Sequence, residues 1–371
     1  MAQKTIRLAK PNIPNSVLNE LKDIFNTGFL TQGKKVAEFE NLVADYLGVK
    51  HAFCVSSGTA ALHIAILSLN LTENDEVIVP NFTFPATANV VEIVGAKTIF
   101  ADIKTTDFNI DTEKLESLIT KQTKAIIVVH QFGLAADMNK INSIANKYNI
   151  TVIEDAACAL GSEYNGIKVG NFGEIACFSL HPRKAITTGE GGIITTNNQK
   201  LAEKIQALRN HGFLRFGTTP IFPFPGLNYR MTEFQAVMGI AQLRIFEQEL
   251  QHRQKIANIY NEIFSQSNCV KVPSDFSNRR HTYQTYHILL DEKISRNEVI
   301  ALMKQNGIET NFGAYAVSTL DYYKQKYNIP DKNLSKSIYA YKQGLALPMG
   351  SYLTEQEAEK IATTLLKIIK C

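Results

Sequence analysis

Between about residues 50 and 200, short runs of apolar and β-branched residues recur between stretches with helical spacing. The runs are Ala52 to Val55, Glu76 to Val79, Thr98 to Ala101, Ala125 to Val129, Thr151 to Glu154, Ile175 to Phe178 and Ile193 to Thr195. Each has the length and near-continuous apolar character of a strand buried on both faces. Helical patterns over Thr59 to Leu69, Thr112 to Leu118 and Met138 to Lys147 fit between them. Strands joined by crossover helices predict an α/β unit whose central sheet is mostly parallel and covered by helices.

The pattern then changes. Met231 to Phe264 reads as one long helix, with no proline or run of glycines to stop it, and such a helix carries the chain out of the first unit. Beyond it, Tyr283 to Leu290 alternates as a strand, Arg296 to Gln305 is helical and stopped by Gly307, Ile308 to Phe312 reads as another strand, and Thr354 to Ile369 closes the chain as a helix. The expected division is a large domain over residues 1–245 and a smaller C-terminal α+β domain over residues 246–371, with the N-terminal segment a candidate to pack on the smaller one. Phe213 to Gly226, rich in Gly, Pro and Phe, reads as a long loop.

A chain of 371 residues with 45% hydrophobic content has ample material for a large core. Its 39 basic and 35 acidic residues leave a formal charge of +4, with no long Lys/Arg run interleaved with aromatics, so no nucleic-acid partner is expected. The N-terminus, Met1 to Arg7, lacks the apolar core of a signal peptide, and no stretch approaches the roughly 20 apolar residues of a membrane span. A cytoplasmic protein without membrane contact is expected. Cys54, Cys158, Cys177, Cys269 and Cys371 are odd in number and form no Cys-x-x-Cys pair. That argues against a disulfide framework or a zinc ribbon, and no metal is expected.

The chemistry centres on Ser179-Leu180-His181-Pro182-Arg183-Lys184-Ala185-Ile186-Thr187-Thr188-Gly189-Glu190-Gly191-Gly192. The apolar run before it should deliver Lys184 at the carboxyl end of a strand, where open α/β sheets place their ligands. About thirty residues upstream, Ile150 to Glu154 leads into Glu154-Asp155-Ala156-Ala157 and brings a carboxylate to the same edge. A lysine that forms a Schiff base and an aspartate that keeps a pyridine nitrogen protonated are the pair that pyridoxal phosphate (PLP) requires. Gly58-Thr59 follows a strand and opens a helix, which suits either an ordinary helix cap or a phosphate cradle.

With Ser56-Ser57-Gly58-Thr59-Ala60-Ala61-Leu62-His63, Pro80-Asn81-Phe82-Thr83-Phe84 and Asn228-Tyr229-Arg230-Met231-Thr232-Glu233, these motifs stand in the order found in the DegT/StrS family of PLP-dependent sugar aminotransferases, which the chain resembles from Leu8 to the C-terminal helix. The resemblance implies the aspartate aminotransferase fold, with a large PLP-binding domain. It also implies roles. Gly58, Thr59 and Ser179 hold the cofactor phosphate, Phe84 stacks on the pyridine ring, Asp155 faces its nitrogen, and Lys184 carries both the Schiff base and the proton transfer that needs a neutral amine. Cys158 stands where many relatives carry Gln or His reaching the ring hydroxyl; a thiol is a weak donor, and packing is its other reading. Asn228 is expected to reach the cofactor of a neighbouring subunit, which implies a homodimer with shared active sites. Arg230 is a candidate for the donor carboxylate or for an acidic side chain of the fold, and His181 for substrate or a structural loop contact. Tyr315 and Ser318 stand where many relatives carry histidines near the sugar.

The expected reaction moves an amino group from L-glutamate to a nucleotide-linked keto-sugar, first an NDP-4-keto-6-deoxyhexose. A 3-keto sugar nucleotide or a keto-inositol is the alternative acceptor. A PLP-dependent sugar dehydratase on the same fold replaces the lysine with histidine, so Lys184 stands against it, and the intact Gly58, Asp155 and Lys184 set stands against a non-catalytic regulator.

Overall fold

In the computed structural model, which describes residues 5–370, seven strands form a central sheet. Their order is His51–Val55, Gly192–Thr196, Ile175–Ser179, Thr151–Asp155, Thr123–Val129, Glu76–Pro80 and Lys97–Ala101. Gly192–Thr196 runs antiparallel to both neighbours, and every other pairing is parallel. All seven apolar runs are therefore strands, each one or two residues longer than read from the pattern. Met1 to Lys4, the start of the N-terminal stretch read above, and Cys371 lie outside the described residues.

Both faces of the sheet are covered, which is why its strands read as continuous apolar runs rather than as alternation. Ile78, Ile126, Val152 and Phe178 join one core, with Phe39 and Ile141 from covering helices. Val77, Ile127, Ile153 and Cys177 point the other way and pack with Ile64, Val91 and Ile205. In the helix Lys34–Leu47 the buried residues Val36, Phe39, Val43 and Leu47 recur at helical spacing. Gly239 brings the helix Glu233–Leu243 against it: a Cβ at that position would fall 2.3 Å from the Phe39 ring.

A second, antiparallel sheet joins Val270–Lys271, Tyr286–Leu290 and Gly344–Leu347. Its core includes Tyr260, Phe264, Met303 and Ile361 from three helices, and Ile6 from the N-terminal segment. The Ile6 N–H donates to the Gly307 carbonyl at 2.8 Å, and the Glu309 N–H donates to the Ile6 carbonyl at 2.9 Å.

Four sequence expectations need correction. Met231 to Phe264 is two helices, Glu233–Leu243 and Phe246–Phe264, with Ile245 leaving helical geometry at φ −109° and ψ 6°. No local breaker causes this; the turn lets Gln242 bond Thr187 while Phe246 buries its ring against Tyr46. Phe213 to Gly226 contains a hairpin, Leu214–Phe216 with Thr219–Ile221, turned at Gly217, whose φ is +58°. Ile308 to Phe312 is not a strand, because it makes only single bridges, Ile308 to Ile6 and Asn311 to Ala346. Cys54, Cys158 and Cys177 are free thiols, but Cys269 is disulfide-bonded. Among the described residues no helix is long and apolar enough to cross a membrane, and no group of three or more His, Cys, Asp and Glu is gathered to hold a metal ion.

Candidate active site

The loop that carries Lys184 closes on itself. After the strand Ile175–Ser179, the Leu180 N–H donates to the Gly191 carbonyl at 2.9 Å, and the Leu180 carbonyl accepts from the Thr188 N–H at 3.0 Å and the Thr187 hydroxyl at 2.7 Å. Two amide side chains then pin it from outside. Gln242 accepts the Thr187 N–H at 3.1 Å and donates to the Thr187 carbonyl at 2.6 Å. Gln284 donates to the Arg183 carbonyl at 2.7 Å. Within the loop the Lys184 N–H donates to the His181 carbonyl at 2.8 Å. The lysine is thus presented on a fixed backbone with its amine directed at the Cys158 thiol, 3.1 Å away.

Asp155 is the last residue of its strand and only 5% exposed. Its Oδ2 accepts from the Thr87 hydroxyl at 2.8 Å and its Oδ1 from the Ala157 N–H at 3.1 Å. Burial raises its pKa above the ordinary carboxylate value, although the Thr87 and Ala157 hydrogen bonds and the charge of Lys184 oppose that rise. Next to it, Glu154 points to the opposite face. Burial pushes Glu154 up as well, but the His130 ring 2.8 Å away and the N–H groups of Gly170, Phe172 and Gly173 prevail and hold it below the usual range. Since His130 Nδ1 accepts the Ala136 N–H at 3.0 Å, the ring proton on Nε2 is the one given to Glu154. Of these adjacent carboxylates, one is satisfied in the core and the other faces the cleft.

The third wall is the start of the helix Gly58–Ser68. Ser57 caps it by accepting the Ala60 N–H at 3.0 Å, which leaves the first amides of the helix toward the cleft. A Cβ on Gly58 would sit 2.8 Å from the Ser179 Cβ, so glycine is what lets the helix end and the strand end meet. The resulting cleft, about 610 Å³, is bordered by Gly58, Thr59, Phe84, Asp155, Cys158, Ser179, His181 and Lys184. Phe84 is 66% exposed, with Tyr315 edge-on to it at 6.3 Å between ring centres. Burial, helped by the charges of Lys184 and Arg183 and opposed by Glu190, lowers the pKa of His181, whose Nδ1 accepts the Arg183 N–H.

Asn228, Arg230, Tyr315 and Ser318 do not border this cleft. Tyr315 reaches its edge through Phe84. The Ser318 N–H donates to the Asn81 side chain at 2.7 Å. Among the described residues Arg230 bonds no carboxylate; its guanidinium donates to Asn228 at 3.1 Å and to Asn210 at 2.9 Å. Glu233, the last residue of the same motif, caps a distant helix by accepting the N–H groups of Gly33, Lys35 and Val36. The residues that sequence reading missed are Thr87, Gln242 and Gln284, whose contacts span 68, 55 and 101 residues. Thr87 alone left a signal, three residues after Phe84 in the first turn of the helix Ala86–Ile93.

These features suit PLP: unpaired helix amides and a glycine gap for a phosphate, a buried carboxylate for a ring nitrogen, and an amine opposite it. Residues 11–366 match the model of the DegT/DnrJ/EryC1/StrS aminotransferase family. The chain is similar to the GDP-perosamine synthase of Caulobacter vibrioides, 36% identical with 98% of each chain covered. It is also similar to the UDP-4-amino-4,6-dideoxy-N-acetyl-beta-L-altrosamine transaminase of Campylobacter jejuni, at 35% with 98% of each covered. A Streptococcus pneumoniae protein described as a sugar aminotransferase, solved in PLP and PMP forms, superposes in its PLP form with a TM-score of 0.92 at 27% identity over 99% of both chains. The chain belongs to the DegT/DnrJ/EryC1/StrS aminotransferase family, whose members are PLP-dependent sugar aminotransferases.

Proposed function

We propose that this chain transfers the amino group of L-glutamate to a keto-sugar carried on a nucleoside diphosphate, and that the sugar is a 4-keto-6-deoxyhexose aminated at carbon 4. The observation that carries the reaction is the placement of Lys184 and Asp155 in one cleft beside unpaired helix amides. The names of the Caulobacter and Campylobacter relatives support a nucleotide-linked sugar, and the second supports amination at carbon 4.

PLP, when bound, supplies an aldehyde for amine exchange and a ring that draws electrons from the substrate carbon. Lys184 Nζ would hold that aldehyde, and its amine would serve as the proton carrier at the reacting carbon. Asp155 would hold the proton on the ring nitrogen. The amides of Gly58 and Thr59 and the Ser179 hydroxyl take the phosphate, where a helix N-terminus favours negative charge. Phe84, with its exposed ring, would stack on the pyridine, and Cys158 would meet its hydroxyl. His181 would meet the sugar from within the cleft and Tyr315 from its edge beside Phe84, with Ser318 further out along the same segment.

Asn228 and Arg230 serve the cleft of a second copy of the chain, in a homodimer. The exposure of Phe25 (69%), Phe29 (74%) and Phe222 (63%), large apolar side chains outside the cleft, supports this reading. Residues 1–245 and 246–371 form its two domains, with the N-terminal segment docked on the second.

A panel of keto-sugar nucleotides and keto-inositols, incubated with glutamate and read by product mass, tests the substrate. Conversion of only a 3-keto sugar nucleotide or a keto-inositol would overturn it. Borohydride reduction followed by peptide mapping tests the chemistry, and finding the cofactor on any lysine but Lys184 would overturn that.

A further inference from the structure

Three oxygen atoms form a buried line behind the cleft. The Thr83 and Thr87 hydroxyls lie 2.9 Å apart, and Thr87 Oγ1 lies 2.8 Å from Asp155 Oδ2. Thr83 is 2% exposed and Thr87 fully buried. Proton counting gives the line a direction. An ionised Asp155 only accepts, so Thr87 must spend its single proton on Oδ2 and takes one from Thr83 in return. Besides Asp155 and the Thr83 oxygen, the Thr87 hydroxyl touches the Phe84 carbonyl, 3.1 Å away, which already has the Thr87 N–H. If Asp155 gains a proton on Oδ2, that proton points at Thr87, and the Thr87 hydroxyl turns away from the carboxyl, to the Phe84 carbonyl or the Thr83 oxygen. Its orientation therefore follows the charge on Asp155.

We propose that Thr87, backed by Thr83, is a positioning residue for the transamination: it orients the Asp155 carboxylate and stabilises its charge. The proposal rests on the reading of Asp155 as partner of the cofactor ring nitrogen. A hydrogen bond to a charged group contributes more than one between neutral groups, and more again where water is excluded. The other ionisable groups around Asp155 are Lys184 from the loop, His130 after the strand Thr123–Val129, and Cys177 and Glu154 on the sheet. Among them only Lys184 shares the open side of the carboxylate in the cleft. Thr83 also pairs with Tyr315 across a two-residue ladder, so the line is anchored to the segment at the edge of the cleft.

The test compares Thr87→Val, Thr87→Ser and Thr83→Val in the full-length protein. In cofactor-free protein, the Asp155 carboxyl is titrated by 13C NMR and assigned with Asp155→Asn; in loaded protein, the 15N shift of ring-labelled PLP reports protonation of its nitrogen. Thr87→Val should move the Asp155 midpoint upward, shift the ring 15N signal toward unprotonated pyridine, and lower kcat about tenfold, equivalent to ~1.4 kcal/mol, while the donor KM stays within about twofold. Thr87→Ser should restore all three, and Thr83→Val should move them the same way by less. Wild-type titration and 15N shift in Thr87→Val would overturn the proposal. Should Thr87→Val not fold, Thr83→Val decides, and an unmoved Asp155 midpoint overturns it. An unchanged 15N shift in Asp155→Asn would instead remove the reading of Asp155, while the titration still judges Thr87.

Discussion

The amine of Lys184 lies 3.1 Å from the thiol of Cys158, a residue that stands where many relatives are expected to carry Gln or His. The lysine donates in this contact and a thiol sulfur is a weak acceptor, so the contact gives the lysine a resting place and little more. Cys158→Ser should therefore change kcat/KM by less than about threefold, which is below 1 kcal/mol. Steady-state kinetics on protein saturated with PLP measures this. A loss of about a hundredfold would show that the thiol has a chemical role.

Asp155 gives a prediction in two parts. With its acidic form favoured by burial, the carboxyl of the cofactor-free protein contributes most to stability below its ordinary value of 3.8, and that contribution is lost as pH rises through the raised value. Asp155→Asn should thus raise the melting temperature of the cofactor-free protein at neutral pH relative to wild type and flatten its fall above about pH 4. The same change should lower turnover of the loaded enzyme by about 10²–10³-fold, as removal of a preorganised electrostatic group does. Thermal melts across pH and initial rates check the two parts separately.

Gly58→Ala places a methyl where the Ser179 Cβ is 2.8 Å away. The helix start must then move off the strand end, widening the proposed phosphate cradle, while the apolar core of the helix is untouched. The expected result is PLP affinity weakened by about tenfold or more, equivalent to ~1.4 kcal/mol, with an unchanged circular dichroism spectrum. Equilibrium dialysis with PLP measures it.

Asn228 lies outside its own chain's cleft, with its side chain held by Arg230. If it serves a second copy, Lys184→Ala and Asn228→Ala, each poorly active alone, should regain activity when mixed, because one site of each heterodimer then has both residues intact. At most about a quarter of wild-type activity is expected from equal, freely exchanging subunits. No recovery after exchange verified by mass would place Asn228 with its own subunit.

The strands and the lysine loop were legible because their signals are local. Ile153 and Phe178 announce buried strands by their neighbours, and Asp155 and Lys184 stand where those strands end. The break at Ile245 was not legible, since nothing near it disfavours a helix and its cause lies in Thr187 and Tyr46. The role of Glu233 was illegible for the same reason: its carboxylate caps a helix 197 to 200 residues away. Thr87 left only its place in the first helical turn after Phe84, which says nothing of Asp155 until the fold sets the two side by side.

The two amides that pin the lysine loop, Gln242 and Gln284, are only 3% and 9% exposed. Neither carries a charge or takes up a proton in the range where proteins remain folded. Acid, alkali and salt act on Asp155 and on His181, whose Nδ1 accepts the Arg183 N–H inside the loop, but they have no purchase on the two amides that moor the loop from outside. Changes in activity with pH or ionic strength should therefore reflect Asp155, His181 and the contact of His181 with Arg183 rather than release of the loop from its outer moorings.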